Sequence, residues 1–212
     1  RALEIAERIQ KAFRSTMIKR GQEILENIGE HQRALVIVSR VYNGCDPGIN
    51  LGLPQILRDL GVLAIPMDFL PIHDIEIADD WPNMYWKYGQ RIIKAGQFIR
   101  KHPNLYALYI TNFNCGPDSF LTVYFKKLMG EKPSLTIEID EHSAPAGAIT
   151  RCEAFLDSLE NVKDRKDSAY RHSFRKTKPK LTGRTIYIPY MGDGAYPLAA
   201  VMRGLGIPAE VF

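Results

Sequence analysis

The sequence has 212 residues, 45% of them hydrophobic and 25% charged, with a net charge of +4. That balance is ordinary for a globular protein and gives enough chain for one well-cored α/β domain and part of another. No apolar run approaches the ~20 residues that cross a bilayer, and Arg1 to Arg20 lack the apolar core and cleavage site of a signal peptide. The mild positive charge does not by itself argue for a nucleic-acid partner.

Ile5, Ile9, Phe13 and Met17 recur every fourth residue with charged residues between them, which predicts an amphipathic helix over 2–28. Ala34 to Val38 is a short continuous apolar run, the pattern of a strand buried on both faces. A loop from Tyr42 to Leu53 leads to Pro54, suited to a helix's first turn, and Gly61 ends that helix. A second strand covers 62–66. A helix from Met84 to Lys101, a strand over 105–113, a helix ending near Met129, a strand over 135–139 and a helix from Ala148 to Asn161 follow. This alternation predicts an α/β, Rossmann-like fold: a parallel sheet with helices on both faces in three layers. The segment 163–184 is rich in Lys and Arg and poor in apolar residues, and reads as a basic linker. After it, a strand over 185–189, a Gly192–Gly194 turn, a helix ending near Gly204–Gly206 and a strand from Ala209 predict the start of a second α/β unit. The expected organisation is therefore an N-terminal helix (1–32), an α/β domain (33–162), the linker (163–184) and the second unit (185–212). The chain opens at Arg1 and closes where a strand begins, so it is expected to be an internal piece of a longer polypeptide.

In open parallel sheets, ligands bind outside the carboxyl ends of the strands. Polar residues crowd the loops at that edge: Asn43, Cys45 and Asp46 after the first strand, Asn112 to Ser119 after the third, and Asp140, Glu141 and His142 after the fourth. Cys115 precedes a helix whose first turn contains Asp118 and Ser119. The dipole and free N–H groups at a helix start favour a thiolate, and Gly116 leaves room for a bulky group. Equally, Cys115 could be a small residue closing a strand, with Asp118 or Ser119 capping the helix. Asp140, Glu141 and His142 are candidates for acid/base work or metal ligation, and Asp140 and His142 with Asp46 could suit a metal-dependent hydrolase. The alternative is a solvated loop and helix cap. Asn43 and Asp46 are also common turn formers. Three widely spaced cysteines, Cys45, Cys115 and Cys152, fit neither a disulfide framework nor a self-contained zinc site. They suggest a reducing, cytoplasmic compartment. Cys152 lies in a helical apolar pattern and reads as a core thiol. Trp81, Tyr85, Trp86 and Tyr88 read as packing or a domain contact.

The runs Asn112 to Phe120, Ile139 to Ala144 and Thr150 to Asp157, with Asp46 to Pro54 and Ile188 to Asp193, resemble the 2-hydroxyacyl-CoA dehydratase and CoA-substrate-specific enzyme activase-related family. The resemblance runs over nearly the whole chain. It implies a dehydratase-subunit-like region of an iron–sulfur protein, forming one wall of a cluster or CoA-substrate site and not active alone. It makes Cys115 the candidate metal ligand, with Gly116, Asp118, Ser119, Asn43 and Asp46 around the cofactor. A 4Fe–4S or related cluster is expected in the full-length protein and not in this piece. Cys152 and Cys45 match no expected cluster position. The implied partners are other domains of the same polypeptide and acyl-CoA, with neither nucleic acid nor membrane. The alternative is a non-catalytic CoA-binding or activase-docking module, to whose ligand phosphates or acidic surface the basic stretch could turn.

Overall fold

The computed structural model describes residues 1–29, 32–113, 115–160 and 183–212. They fall in two compact units, Arg1–Ser173 and Phe174–Phe212. The expected linker, 163–184, lies outside the described residues except for its last two positions. Among the described residues no helix is long and apolar enough to cross a membrane.

The first unit is an α/β sandwich. Its strands are β1 (Ala34–Val38), β2 (Leu63–Pro66), β3 (Leu105–Asn112) and β4 (Ser134–Ile139), in the order β2-β1-β3-β4. All three pairings are parallel. Every residue of β1 is buried, as are the first seven of β3, because both faces of these central strands are covered. One face carries α4 (Lys87–Lys101) and α5 (Gly116–Met129), and packs Val36, Val38 and Tyr109 against Ile92, Ile99 and Phe125. The other carries α3 (Leu53–Asp59) and α6 (Pro145–Glu160), and packs Leu35, Ile37 and Leu108 against Leu57, Cys152 and Phe155. The predicted three-layer architecture is what the chain adopts. Trp81 closes a satellite cluster with Ile77, Ile93 and Leu128, while Tyr85 stands exposed.

Some boundaries differ from the sequence reading. The loop expected from Tyr42 contains a short helix, α2 (Val41–Cys45), too brief to show an apolar period. Helix α4 starts at Lys87 rather than Met84, because Met84 N–H closes a turn on the Trp81 carbonyl and Trp86 is extended. Helix α6 starts three residues early at Pro145, a residue suited to the first helical turn.

The long helix α1 (Ala2–Glu26) is exposed through its N-terminal half. Its C-terminal half packs on the first unit, with Ile24 and Leu25 against the α4/α5-side core. Gly21 makes that docking possible: a Cβ there would sit 1.8 Å from the Phe69 carbonyl oxygen in the 3-10 turn Met67–Phe69.

The second unit is a βαβ arrangement of β5 (Ile186–Ile188), α7 (Ala195–Gly204) and β6 (Ala209–Val211), the strands pairing in parallel as a sheet of their own.

The Gly21 contact yields a stability prediction. Gly21→Ala must force α1 away from backbone, and should cost about 1–3 kcal/mol. Gly147→Ala, at a helical site where a Cβ meets nothing within 4 Å, should be neutral or stabilising by about 0.5–1 kcal/mol. Urea unfolding of the two variants compares them directly. Equal midpoints would mean that α1 does not dock through Gly21.

Candidate functional site

The strand order reverses direction between β1 and β3. From β1 the chain turns to α3 on one face and β2, then recrosses through α4 on the other face to β3. A doubly wound sheet opens a crevice at such a switch, outside the carboxyl ends of the strands. Arg40 stands just past β1 on one side of it. Cys115 and Asp118 stand just past β3 on the other.

These residues are joined. Arg40 Nη2 donates to Cys115 Sγ at 3.0 Å and to Asp118 Oδ2 at 2.6 Å. Asp118 is 1% exposed. It also accepts from Thr111 Oγ1 at 2.8 Å and, more weakly, from the Tyr109 hydroxyl at 3.4 Å. Both donors lie on β3, so the strand presents two hydroxyls to the carboxylate that the next helix swings over it. The Arg40 guanidinium also lies 5.2 Å from the centre of the Tyr42 ring. Burial alone would pull its proton affinity down. The bonds to Cys115 and Asp118 outweigh that and hold it above the ordinary arginine value. Burial, and then the Asp118 charge, push the Tyr109 phenol up, so it stays a donor.

The edge also carries buried polar atoms with no partner among the described residues: Arg40 Nε, both side-chain heteroatoms of Asn43, and Asn112 Oδ1. Leaving such groups unsatisfied costs about 1–3 kcal/mol apiece, so their gathering here marks the edge as built for something polar. Phe113, at the end of β3, adds a further departure. Its φ is +35°, and its N–H is held by the Ile139 carbonyl of β4 at 2.8 Å.

The other expected residues divide clearly. Cys115 is the N-cap of α5, with no side-chain cap of its own. A Cβ on Gly116 would meet nothing within 4 Å, so the approach to the backbone is open. Ser119 Oγ turns back to the Gly116 carbonyl at 2.6 Å. Asn43 is fully buried. Asp46 is spent locally, its Oδ1 accepting from the Gly48 and Ile49 N–H groups. Asp140 is likewise spent on Ser143 Oγ and the His142 N–H, which hold its carboxyl below the usual range. Glu141 and His142 are exposed and 3.6 Å apart. Among the described residues no three His, Cys, Asp or Glu gather as a metal site. All three cysteines are free. Cys152 is fully buried in the α3/α6-side core, and burial pushes its thiol up to about 11. Arg40, Thr111 and Tyr109 were missed by sequence reasoning. Arg40 carries no motif, and the two hydroxyls read as ordinary strand residues. The one available signal was position: a cation directly after a buried strand at the switch.

The model of the CoA enzyme activase uncharacterised domain (DUF2229) matches residues 1–70. That span runs from α1 to the turn after β2 and includes Arg40 and Asn43, but not Cys115 or Asp118. No curated protein and no solved structure matches the chain.

Two predictions come from this geometry. Arg40→Met strands a buried carboxylate and should cost about 3–5 kcal/mol. Adding Asp118→Leu should recover part of that loss in a double-mutant cycle read by chemical denaturation, and strict additivity would show the two are uncoupled. The second concerns Cys152. Between pH 9 and about 11 the unfolded thiol ionises while the folded one stays protonated, so stability falls as pH rises through that window. The full loss is about 2–3 kcal/mol. The difference in urea midpoint between wild type and Cys152→Ala should shrink accordingly, and a constant difference would contradict the assignment.

Proposed function

We propose that this chain is a module of a CoA enzyme activase-related iron–sulfur system, and that Cys115 forms one wall of its redox site. One observation carries the reading: the Cys115 sulfur sits at the start of α5, at the switch-point edge, accepting a hydrogen bond from a permanently charged guanidinium. Hydrogen bonds to the ligating sulfurs are among the levers on a cluster's potential. The match over residues 1–70 supports the activase-related context.

The described residues fit such a cluster in donor type but not in number. Clusters of this kind take four ligands, usually cysteines, and among the described residues no group of three or more His, Cys, Asp or Glu gathers to supply them. The reading therefore assigns the remaining ligands to other parts of the polypeptide, with those domains and acyl-CoA as the implied partners. Within this chain the roles are positional. Arg40 orients the sulfur. Asp118 fixes Arg40 and is itself fixed by Thr111 and Tyr109. Gly116 keeps the approach clear.

The experiment is anaerobic iron and sulfide reconstitution of the complete polypeptide carrying this sequence, read by absorbance, iron content and EPR. Wild type should form a cluster, and Cys115→Ser should lose it or change its signal. Arg40→Lys, which keeps the charge but not the fork geometry, should keep the iron and shift the potential. Identical spectra and iron content for wild type and Cys115→Ser would remove the ligand assignment.

A further inference from the structure

A cleft of about 540 Å³ opens beside this edge, between α1, α4 and the turn after β2. Its volume lies within the range of small-molecule sites, about 300–1,000 Å³. Met17 and Ile18 of α1 and Met67, Leu70 and Ile72 after β2 give it an apolar floor, and Phe13 stands at its mouth, 62% exposed. Val41 and Cys45 of α2 close the side toward the sheet.

Charge is distributed unevenly over this floor. Arg14, Lys87, Arg91 and Lys94 line the cleft against one carboxylate, Asp68. Asp68 is already engaged by Arg91, and Lys94 donates to the His73 carbonyl at 3.2 Å. Arg14 has no ion pair among the described residues; burial, and then the Arg14 charge, pull the Arg91 guanidinium below its ordinary value. An anion seated between Arg14 and Arg91 would relieve that repulsion. Asp68 offsets Arg91 alone, so Arg14, Lys87 and Lys94 have no carboxylate partner among the described residues, and the complementary ligand is an anion with an apolar body.

We propose that the cleft binds an unbranched aliphatic carboxylate, its chain on Met17, Met67 and Leu70 and its carboxylate between Arg14 and Arg91. The site is independent of the Cys115 reading and shares no residue with it.

Calorimetric titration of the chain with decanoate, below its micellar concentration, tests this. Saturable binding of one decanoate per chain is expected, with none for acetate, inorganic phosphate or decyltrimethylammonium. Arg14→Gln and Phe13→Glu alter side chains that are already exposed, so the fold should persist. Each should weaken decanoate about tenfold or more, the equivalent of ~1.4 kcal/mol. Leu3→Gln, on the same exposed stripe of α1 but outside the cleft, and Cys115→Ser should bind as wild type does. Non-saturating uptake, equal binding of the cationic amphiphile, displacement of decanoate by coenzyme A lacking any acyl chain, or a dimer that closes the cleft to decanoate would each overturn the proposal.

Discussion

The Arg40–Asp118 pair is the constraint on which the carboxyl edge depends. It joins the residue after β1 to the first turn of α5, two segments separated by 78 positions in sequence. Both partners are nearly withdrawn from water, at 11% and 2% side-chain exposure. Removing two charges from water costs several kcal/mol per ion unless the geometry and further hydrogen bonds compensate. Thr111 and Tyr109 supply that compensation for the carboxylate. For Arg40 it is only partial, since Nε has no partner among the described residues. A fold selected for stability alone would do as well with apolar residues here. The arrangement makes more sense as a device that holds the Cys115 sulfur and a guanidinium in fixed register.

Much of the frame was legible in the sequence because its strongest signals are local. Ala34 to Val38 could hardly be anything but a doubly covered strand, and the run from Leu105 reads the same way. The start of α4 was misjudged because Met84 and Trp86 continue the apolar pattern while their backbone is still turning. The site was legible only in outline. Cys115 and Asp118 could be singled out as the opening of a helix at the correct edge. Asp118 looked like a helix cap, since its burial and its partner on β1 are long-range facts. Asp46 and Asp140 drew interest as carboxylates, yet each closes a local turn with neighbouring N–H groups. Spacing alone cannot separate a carboxylate that serves its own loop from one that serves a site.

Helix α2 lies between two different environments. Arg40 and Tyr42 face the sulfur and the buried carboxylate, while Val41 and Cys45 line the apolar cleft. Asn43, between them in sequence, is fully buried, and neither of its side-chain heteroatoms has a partner among the described residues. Five residues thus carry a charged contact, an apolar wall and an unsatisfied amide. The segment reads as a loop in the sequence because five helical residues are too few to show an apolar period.

Phe113 gives the edge a mechanical character. A bulky residue at φ +35° stores about 1–3 kcal/mol of strain, and a single hydrogen bond to the end of β4 helps to hold it there. Two positions further on, the chain places its sulfur. The position of that sulfur is therefore underwritten by the pairing of β3 with β4, within a total folding margin of only about 5–15 kcal/mol. Loosening the distal end of β4 releases the Phe113 N–H, and with it one of the contacts that set where the chain leaves β3 on its way to the thiol.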